Sequence, residues 1–442
     1  MQITLDSHFT YSKLVRFTLP SIYMMIFTSL YTIVDGFFVS NYVGGMALAA
    51  ITLIFPPLMI IGAVGFMFGT GSTAIIGKLL GEERPEDAKA FFTAMLITVF
   101  GVGIAISVLG QILLPWLATL LGATGEIYSY SIIYGRYLLL AMPMFMMQNL
   151  FQAFFVVAEK PKYGFYTTLA AGVTNIVLDY VFIAVWHWGL EGAALATALG
   201  QTVGGIIPLF YFARKNTSRL QMVKPKLSWQ MLINTCTNGI SELLSSITGS
   251  VISVLYNYQL LHYIGANGIA SYGVLMYVGF VFAAISIGYA IGSAPIISFH
   301  YGAQNHKELH NVYSKSIRLN IYAGIAMTVL SFVLAKSIAQ IFVGYDEELL
   351  NITIKAMRIY ALSCLLSGFN IFVSSFFTAL SNGLISAVIS TLRSLVFSIG
   401  SVLVLPLLFG FEGIWYSFIL TDVLTFTVSV LYLLSQRKRY HY

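Results

Sequence analysis

The chain has 442 residues, 58% of them hydrophobic and only 9% charged, with 23 Lys and Arg against 17 Asp and Glu for a formal net charge of +6. A soluble domain carries about a quarter charged residues, so this composition suits a bilayer and cannot cover a surface in water. It excludes a secreted disulfide scaffold, a nucleic-acid module and an ordinary cytosolic enzyme; Cys236 and Cys364 stand alone in separate apolar stretches and form no zinc or disulfide pattern.

A membrane span needs roughly 20 apolar residues. The punctuation predicts twelve, over about 14–38, 46–76, 90–120, 127–157, 163–186, 190–213, 230–260, 268–299, 311–341, 349–379, 384–408 and 412–434. The polar start that holds Asp6 lacks a small-residue cleavage site, so the first span reads as a retained helix. Lysine and arginine collect at alternate connections: Lys13 and Arg16, Lys78 to Lys89, Lys160 and Lys162, Arg214 to Lys226, Lys307 to Arg318, and Arg437 to Arg439. Short cytoplasmic segments carry such an excess, so both termini are expected in the cytoplasm.

A shift of 221 residues lays the sequence on itself. Tyr42-Val-Gly44 meets Tyr263-Ile-Gly265, Gly71-Ser72 meets Gly292-Ser293, Gly81 meets Gly302, Asn149 meets Asn370, and Gly189-Leu-Glu-Gly192 meets Gly410-Phe-Glu-Gly413. One shared offset over most of the chain points to a duplicated six-helix unit. Because six is even, both copies enter from the same side, a parallel repeat found in secondary transporters. The expected organisation is an N-terminal lobe at 1–213, a cytoplasmic linker at 214–229 and a C-terminal lobe at 230–442. The basic linker reads as a tether, or as an amphipathic helix on the anionic leaflet.

With these features the chain resembles the multidrug and toxic compound extrusion (MATE) transporters. The sharper motifs are Tyr31-Thr-Ile-Val-Asp35-Gly-Phe-Phe-Val in the first span, Val43-Gly44-Gly45, Ala47-Leu-Ala-Ala50, Asn175-Ile-Val-Leu-Asp179 in the fifth span and Gly192-Ala-Ala-Leu-Ala-Thr197 in the sixth. The first-span Asp and the Asn-x-x-x-Asp motif look most like the prokaryotic branch related to DinF and MepA. The resemblance implies an all-α membrane protein of twelve helices in two six-helix lobes, V-shaped, that alternates between outward-open and inward-open states. It implies efflux of bulky, often lipophilic and cationic compounds across a prokaryotic cell membrane by H⁺ or Na⁺ antiport, by a monomer with no cofactor and no enzymatic activity. A cation site would use Asp35 and Asp179, with Asn175 and Thr197 as polar partners and Asn149 beside them; Na⁺ is the metal such oxygens could take.

A rise of about 1.5 Å per residue independently places Asp35, Asp179, Asn175 and Thr197 in the outer half of the N-terminal lobe. Acidic groups inside a span are costly and functional by default, and two neighbouring carboxylates can share a proton or ligate a cation. The bland alternative leaves Asp35 solvated at the interface or paired with Arg136. In the C-terminal lobe, Glu242, Arg393 and Asp422 read first as a self-neutralising cluster, and second as a site where Glu242 meets protons or cationic drugs. Met142, Met146 and Phe154, from a Met- and Phe-rich run around Pro143, are expected with Glu242 in the substrate cavity, where thioethers and aromatic faces suit lipophilic cations.

Other chemistries fit less well. Gly71-Ser-Thr-Ala-Ile-Ile-Gly77-Lys78-Leu79 has one residue too many between its glycines for a P-loop and Leu where Ser or Thr must hold Mg²⁺. His306-Lys-Glu-Leu-His310 lacks an evident third metal ligand. A flippase or exporter of lipid-linked or other anionic metabolites is the rival, and would draw on Arg136 and Arg393, the deep arginines.

Overall fold

The computed structural model describes residues 3–442. Among them are twelve helices long and apolar enough to cross a membrane: α1 (Tyr11–Val43), α2 (Met46–Gly81), α3 (Pro85–Leu120), α4 (Gly125–Val157), α5 (Pro161–Val185), α6 (Gly189–Ala213), α7 (Trp229–Tyr263), α8 (Asn267–Gly302), α9 (His306–Val343), α10 (Glu347–Ala379), α11 (Gly383–Phe409) and α12 (Glu412–Tyr440). No strand occurs among the described residues. The all-helical expectation and all twelve spans hold. Several helices, among them α1, α2, α3, α9 and α12, run a turn or more past the apolar stretch.

Local chemistry sets the ends. Thr10 caps α1 by accepting from the Lys13 N–H, and Asn305 and Asp346 cap α9 and α10 by accepting from Glu308 and Leu349 N–H groups at 3.1 and 3.0 Å. Side-chain oxygens there satisfy donors that the first turn leaves unpaired. Pro85 and Pro161 open α3 and α5, where a missing N–H costs nothing. Gly44 and Gly265 turn the chain with φ of +115° and +76°, a backbone region that glycine enters without strain. They are equivalents at the 221-residue shift.

The two halves pack alike. α1 lies on α5 as α7 lies on α11; α2 on α4 as α8 on α10; α3 on α4 as α9 on α10; α4 on α6 as α10 on α12; and α5 on α6 as α11 on α12. Between the halves, α1 crosses α8 as α7 crosses α2, and α2 meets α8 at the axis. Glycines make these crossings close. A Cβ on Gly81 would come 2.1 Å from the Phe299 carbonyl oxygen, and one on Gly302 would come 2.2 Å from that of Lys78; each of these contacts is the other shifted by 221. Gly239 against Met67 and Gly288 against Ser21 and Ile22 are likewise too close to admit a Cβ.

Residues 214–228 form no helix. They are pinned to α3 instead: the Val223 N–H donates to Thr93 Oγ1 at 3.1 Å, the Lys226 N–H donates to the Ala90 carbonyl at 3.3 Å, and Lys226 pairs with Asp87 at 3.4 Å. An amphipathic helix is therefore not formed in this segment.

The segment before α1 ties both halves at the basic end. The Leu5 N–H donates to Glu159 Oε1 of the α4–α5 connection at 2.7 Å, and the Phe9 N–H donates to Glu308 Oε1 of α9 at 2.8 Å. Leu5 and Phe9 are fully buried.

Candidate functional site

The far part of α1 brings Asp35 against α5, where Asp179 ends the regular α-helix and a π-helical turn, Tyr180–Val185, begins. Such wide turns recur at functional positions because they re-aim side chains within a helix. The carboxyls of Asp35 and Asp179 are side-chain neighbours. Asp179 is fully buried. Its two oxygens and Asp35 Oδ1 are buried with no hydrogen-bond partner. On the same face of α5, Asn175 donates from Nδ2 to Thr197 Oγ1 of α6 at 3.4 Å, and its Oδ1 is also unpartnered. The expected four residues therefore come together.

Two hydroxyls that sequence reasoning missed complete the cluster. Tyr134 of α4 is fully buried beside Thr197, Asp35 and Asp179, and Tyr31 lies one turn before Asp35 and next to it. A set of two carboxylates, an amide, a threonine and two phenols is all-oxygen in its acceptors. It can hold a proton between carboxylates, or ligate a hard cation such as Na⁺.

Asn149 stands apart. Its Nδ2 donates to the Gly62 carbonyl of α2 at 3.3 Å, and no hydrogen bond among the described residues joins it to either aspartate. It faces α2 because α4 is the central helix of its half, packed against α2, α3 and α6. Arg136 is exposed and enters no ion pair among the described residues, so the pairing with Asp35 does not form.

In the second half, Arg393 lies in a π-helical turn of α11, Leu392–Ser398, and its Nη2 meets Asp422 Oδ1 at 3.1 Å. Asn370 Nδ2 donates to the same Oδ1 at 3.3 Å and to the Asp422 carbonyl at 3.0 Å. Glu242 stays outside this network and forms no ion pair among the described residues. It opens instead onto a cavity of about 530 Å³ between the halves, with Phe66, Thr70 and Ala153 from the first and Ser246, Ser374 and Arg393 from the second. The self-neutralising cluster thus contains Arg393 and Asp422 but not Glu242.

Met142, Met146 and Phe154 do not line this cavity. They are 1%, 0% and 0% exposed, and Phe154 packs on Phe92 with ring centroids 4.9 Å apart. A helix surrounded by other helices is apolar all round, so its Met and Phe fill the core of their own half. His306 rests against His441, with ring centroids 4.9 Å apart.

The family model described as MatE matches residues 20–181 and again 243–403, together more than half of the chain. The multidrug export protein MepA of Staphylococcus haemolyticus is 24% identical over 436 residues, covering 97% of this chain and 94% of that protein. A MATE structure solved in complex with MaL6 superimposes with a TM-score of 0.91 at 23% identity, over 98% of this chain and 97% of the other. The outward-facing conformation of a multidrug resistance MATE family transporter of the MOP superfamily gives 0.90 at 23% identity, over 98% and 96%. Two copies of the family model fall on the two halves whose packing repeats, and a fold of the same plan spans nearly the whole chain in known MATE structures: the chain belongs to the MatE family.

Proposed function

We propose that this chain is a secondary active exporter of lipophilic, often cationic compounds, driven by H⁺ or Na⁺ antiport through alternating access. The observation that carries the reading is the pair of adjacent carboxylates, Asp35 and Asp179, with three oxygens buried and unpartnered. Two such charges side by side in a membrane interior are held only if a proton or a cation joins them. Glu242, unpaired on the wall of the cavity between the halves, supplies the negative group a lipophilic cation would meet. The coupling site then lies within the first half and the cavity between the halves, and a change in one is transmitted through the α1–α8 and α2–α7 crossings. On this reading the lobes are 1–213 and 230–442, joined at 214–229. The chain works as a monomer in a prokaryotic cell membrane, with no cofactor and with both termini cytoplasmic, where the basic connections point.

The test is efflux of a fluorescent quaternary ammonium dye from proteoliposomes, under an imposed pH gradient and an imposed Na⁺ gradient in turn. Asp35→Asn and Asp179→Asn are expected to abolish gradient-driven efflux, with the elution profile and melting temperature close to wild type. Wild-type rates in both variants would remove the coupling role. Transport of an undecaprenyl pyrophosphate analogue with no efflux of cations would favour the anionic-metabolite carrier instead.

A further inference from the structure

The pseudo-two-fold generates two equivalent clefts at the basic end, one on each side of the α2–α8 contact. The first is bounded by Phe299 and His300 of α8, Phe17 of α1, Glu159 and Arg219. The segment before α1 fills it. Phe9 stacks edge-on against Phe17 and His300, at 6.1 and 6.4 Å between centroids. Glu159 takes the Leu5 N–H and pairs with Arg219 at 2.7 Å, and Arg219 also lies 3.6 Å from Asp6.

Shifted by 221, these positions become Lys78, Leu79, Asn238, Leu380 and Tyr440, and all five line the second cleft, which measures about 690 Å³. No part of the described chain plugs it. Of the residues equivalent to the plug, those just before α7 are drawn away to α3 by the Val223 and Lys226 bonds, and Gln230, the equivalent of Phe9, is taken into the first turn of α7. The duplicated fold therefore builds two clefts with only one built-in occupant.

The second cleft is basic. Lys78, Arg84 and Arg439 line it against a single carboxylate, Glu82. Arg84 is largely spent on Asp87 at 2.8 Å, and Lys78 sits 3.8 Å from Glu82. Arg439 enters no ion pair among the described residues; the position of the acidic Glu159 is taken here by Leu380, so the cleft has a cation without its carboxylate. Asn234, Thr237 and Asn382 add uncharged polar groups. Apolar side chains are exposed beside the cleft: Leu384, which lines it, is 74% exposed, and Trp229 and Ile233 stand on α7, which supplies Met231, Asn234 and Thr237 to the lining.

We propose that this cleft binds an anionic glycerophospholipid, with its phosphate between Lys78 and Arg439 and its acyl chains on the Leu384–Ile233 face. Basic pockets between transmembrane helices on the cytoplasmic side suit such headgroups, and a guanidinium fork matches phosphate oxygens. Lys78 belongs to the first half and Arg439 to the second, so one headgroup joins the halves where the N-terminal segment joins them in the other cleft. The site is independent of what the chain transports.

The test is native mass spectrometry of the full chain released from nanodiscs of phosphatidylglycerol or of phosphatidylcholine, with and without millimolar inorganic phosphate. Wild type is expected to retain phosphatidylglycerol over phosphatidylcholine. Lys78→Gln/Arg439→Gln should lower that retention roughly tenfold or more. Arg439→Lys should keep most of it and shows that the position tolerates change, and Lys438→Gln, one residue away and outside the cleft, should leave it intact. If inorganic phosphate binds wild type and not the double variant while the two lipids are retained equally, the phosphate subsite stands and its occupant is the soluble anion, which overturns the lipid assignment. Equal retention by wild type and the double variant, or an equal loss in Lys438→Gln, overturns the site altogether.

Discussion

Asp422 is 6% exposed and is paired with Arg393 and the Asn370 amide, so the pair contributes mainly by not being broken. Removing one partner of a buried pair leaves an uncompensated charge, which costs about 3 kcal/mol or more, whereas replacing both with apolar groups is often neutral. Arg393→Met alone is therefore expected to lower the melting temperature in detergent sharply, and Arg393→Met/Asp422→Leu to recover most of the loss. A double variant as unstable as the single one would show that the pair itself stabilises the fold. Asp35 and Asp179 were legible in the sequence because ionisable groups inside apolar spans are rare enough to count, and Asn175 and Thr197 through the motifs that resemble the family's. Tyr134 was not, since it is one of 27 tyrosines, and only packing shows which phenol turns toward the carboxylates. The misplacement of Met142, Met146 and Phe154 has the same root. Residue chemistry suits a cavity wall and a helix core equally well, and the central position of α4 decides between them.

At the scale of elements, the N-terminal segment is held by two carboxylates, Glu159 of the α4–α5 connection and Glu308 of α9. Glu159 lies outside the spans, and burial pushes its carboxyl above the ordinary glutamate value of 4.5, while the Leu5 N–H and Arg219 pull it back. The folded state thus favours the protonated form more than the unfolded chain does. Stability from this group is complete below the unfolded value and is lost as pH rises through the folded one. Glutamine carries no such dependence. The melting temperature of wild type minus that of Glu159→Gln is therefore expected to fall as pH is raised from about 4.5 toward neutrality; a difference that is flat with pH, or rises, contradicts the assigned direction. The twelve helices themselves were readable from hydropathy, because each must satisfy its own backbone in lipid. Their π-helical turns at Tyr180–Val185 and Leu392–Ser398 were not, since no residue pattern distinguishes one wide turn within an apolar run.

Across the whole molecule, the halves meet at the basic end through glycines that leave no room for a side chain. A Cβ on Gly239 would lie 1.8 Å from the Met67 carbonyl oxygen, so Gly239→Val must push α7 from α2. Overpacking of this kind costs about 1–3 kcal/mol, and here the strain is relieved by parting the halves. Spin labels at the exposed positions Lys162 and Lys438 should gain a longer-distance population by double electron–electron resonance in Gly239→Val. Unchanged distances at wild-type stability would mean that the contact does not hold the basic end closed.

The sequence by itself determined the membrane class, the number of spans, the internal duplication and the intramembrane carboxylates. These follow from composition, periodicity and the cost of burying charge, all of which act locally along the chain. Only the tertiary structure decided which helix faces meet. It sent Asn149 to α2, left Glu242 out of the Arg393–Asp422 pair, and drew the residues before α7 to α3 so that one of two equivalent clefts went unplugged. Those outcomes depend on the mutual placement of helices far apart in sequence, and one-dimensional patterning carries no record of it.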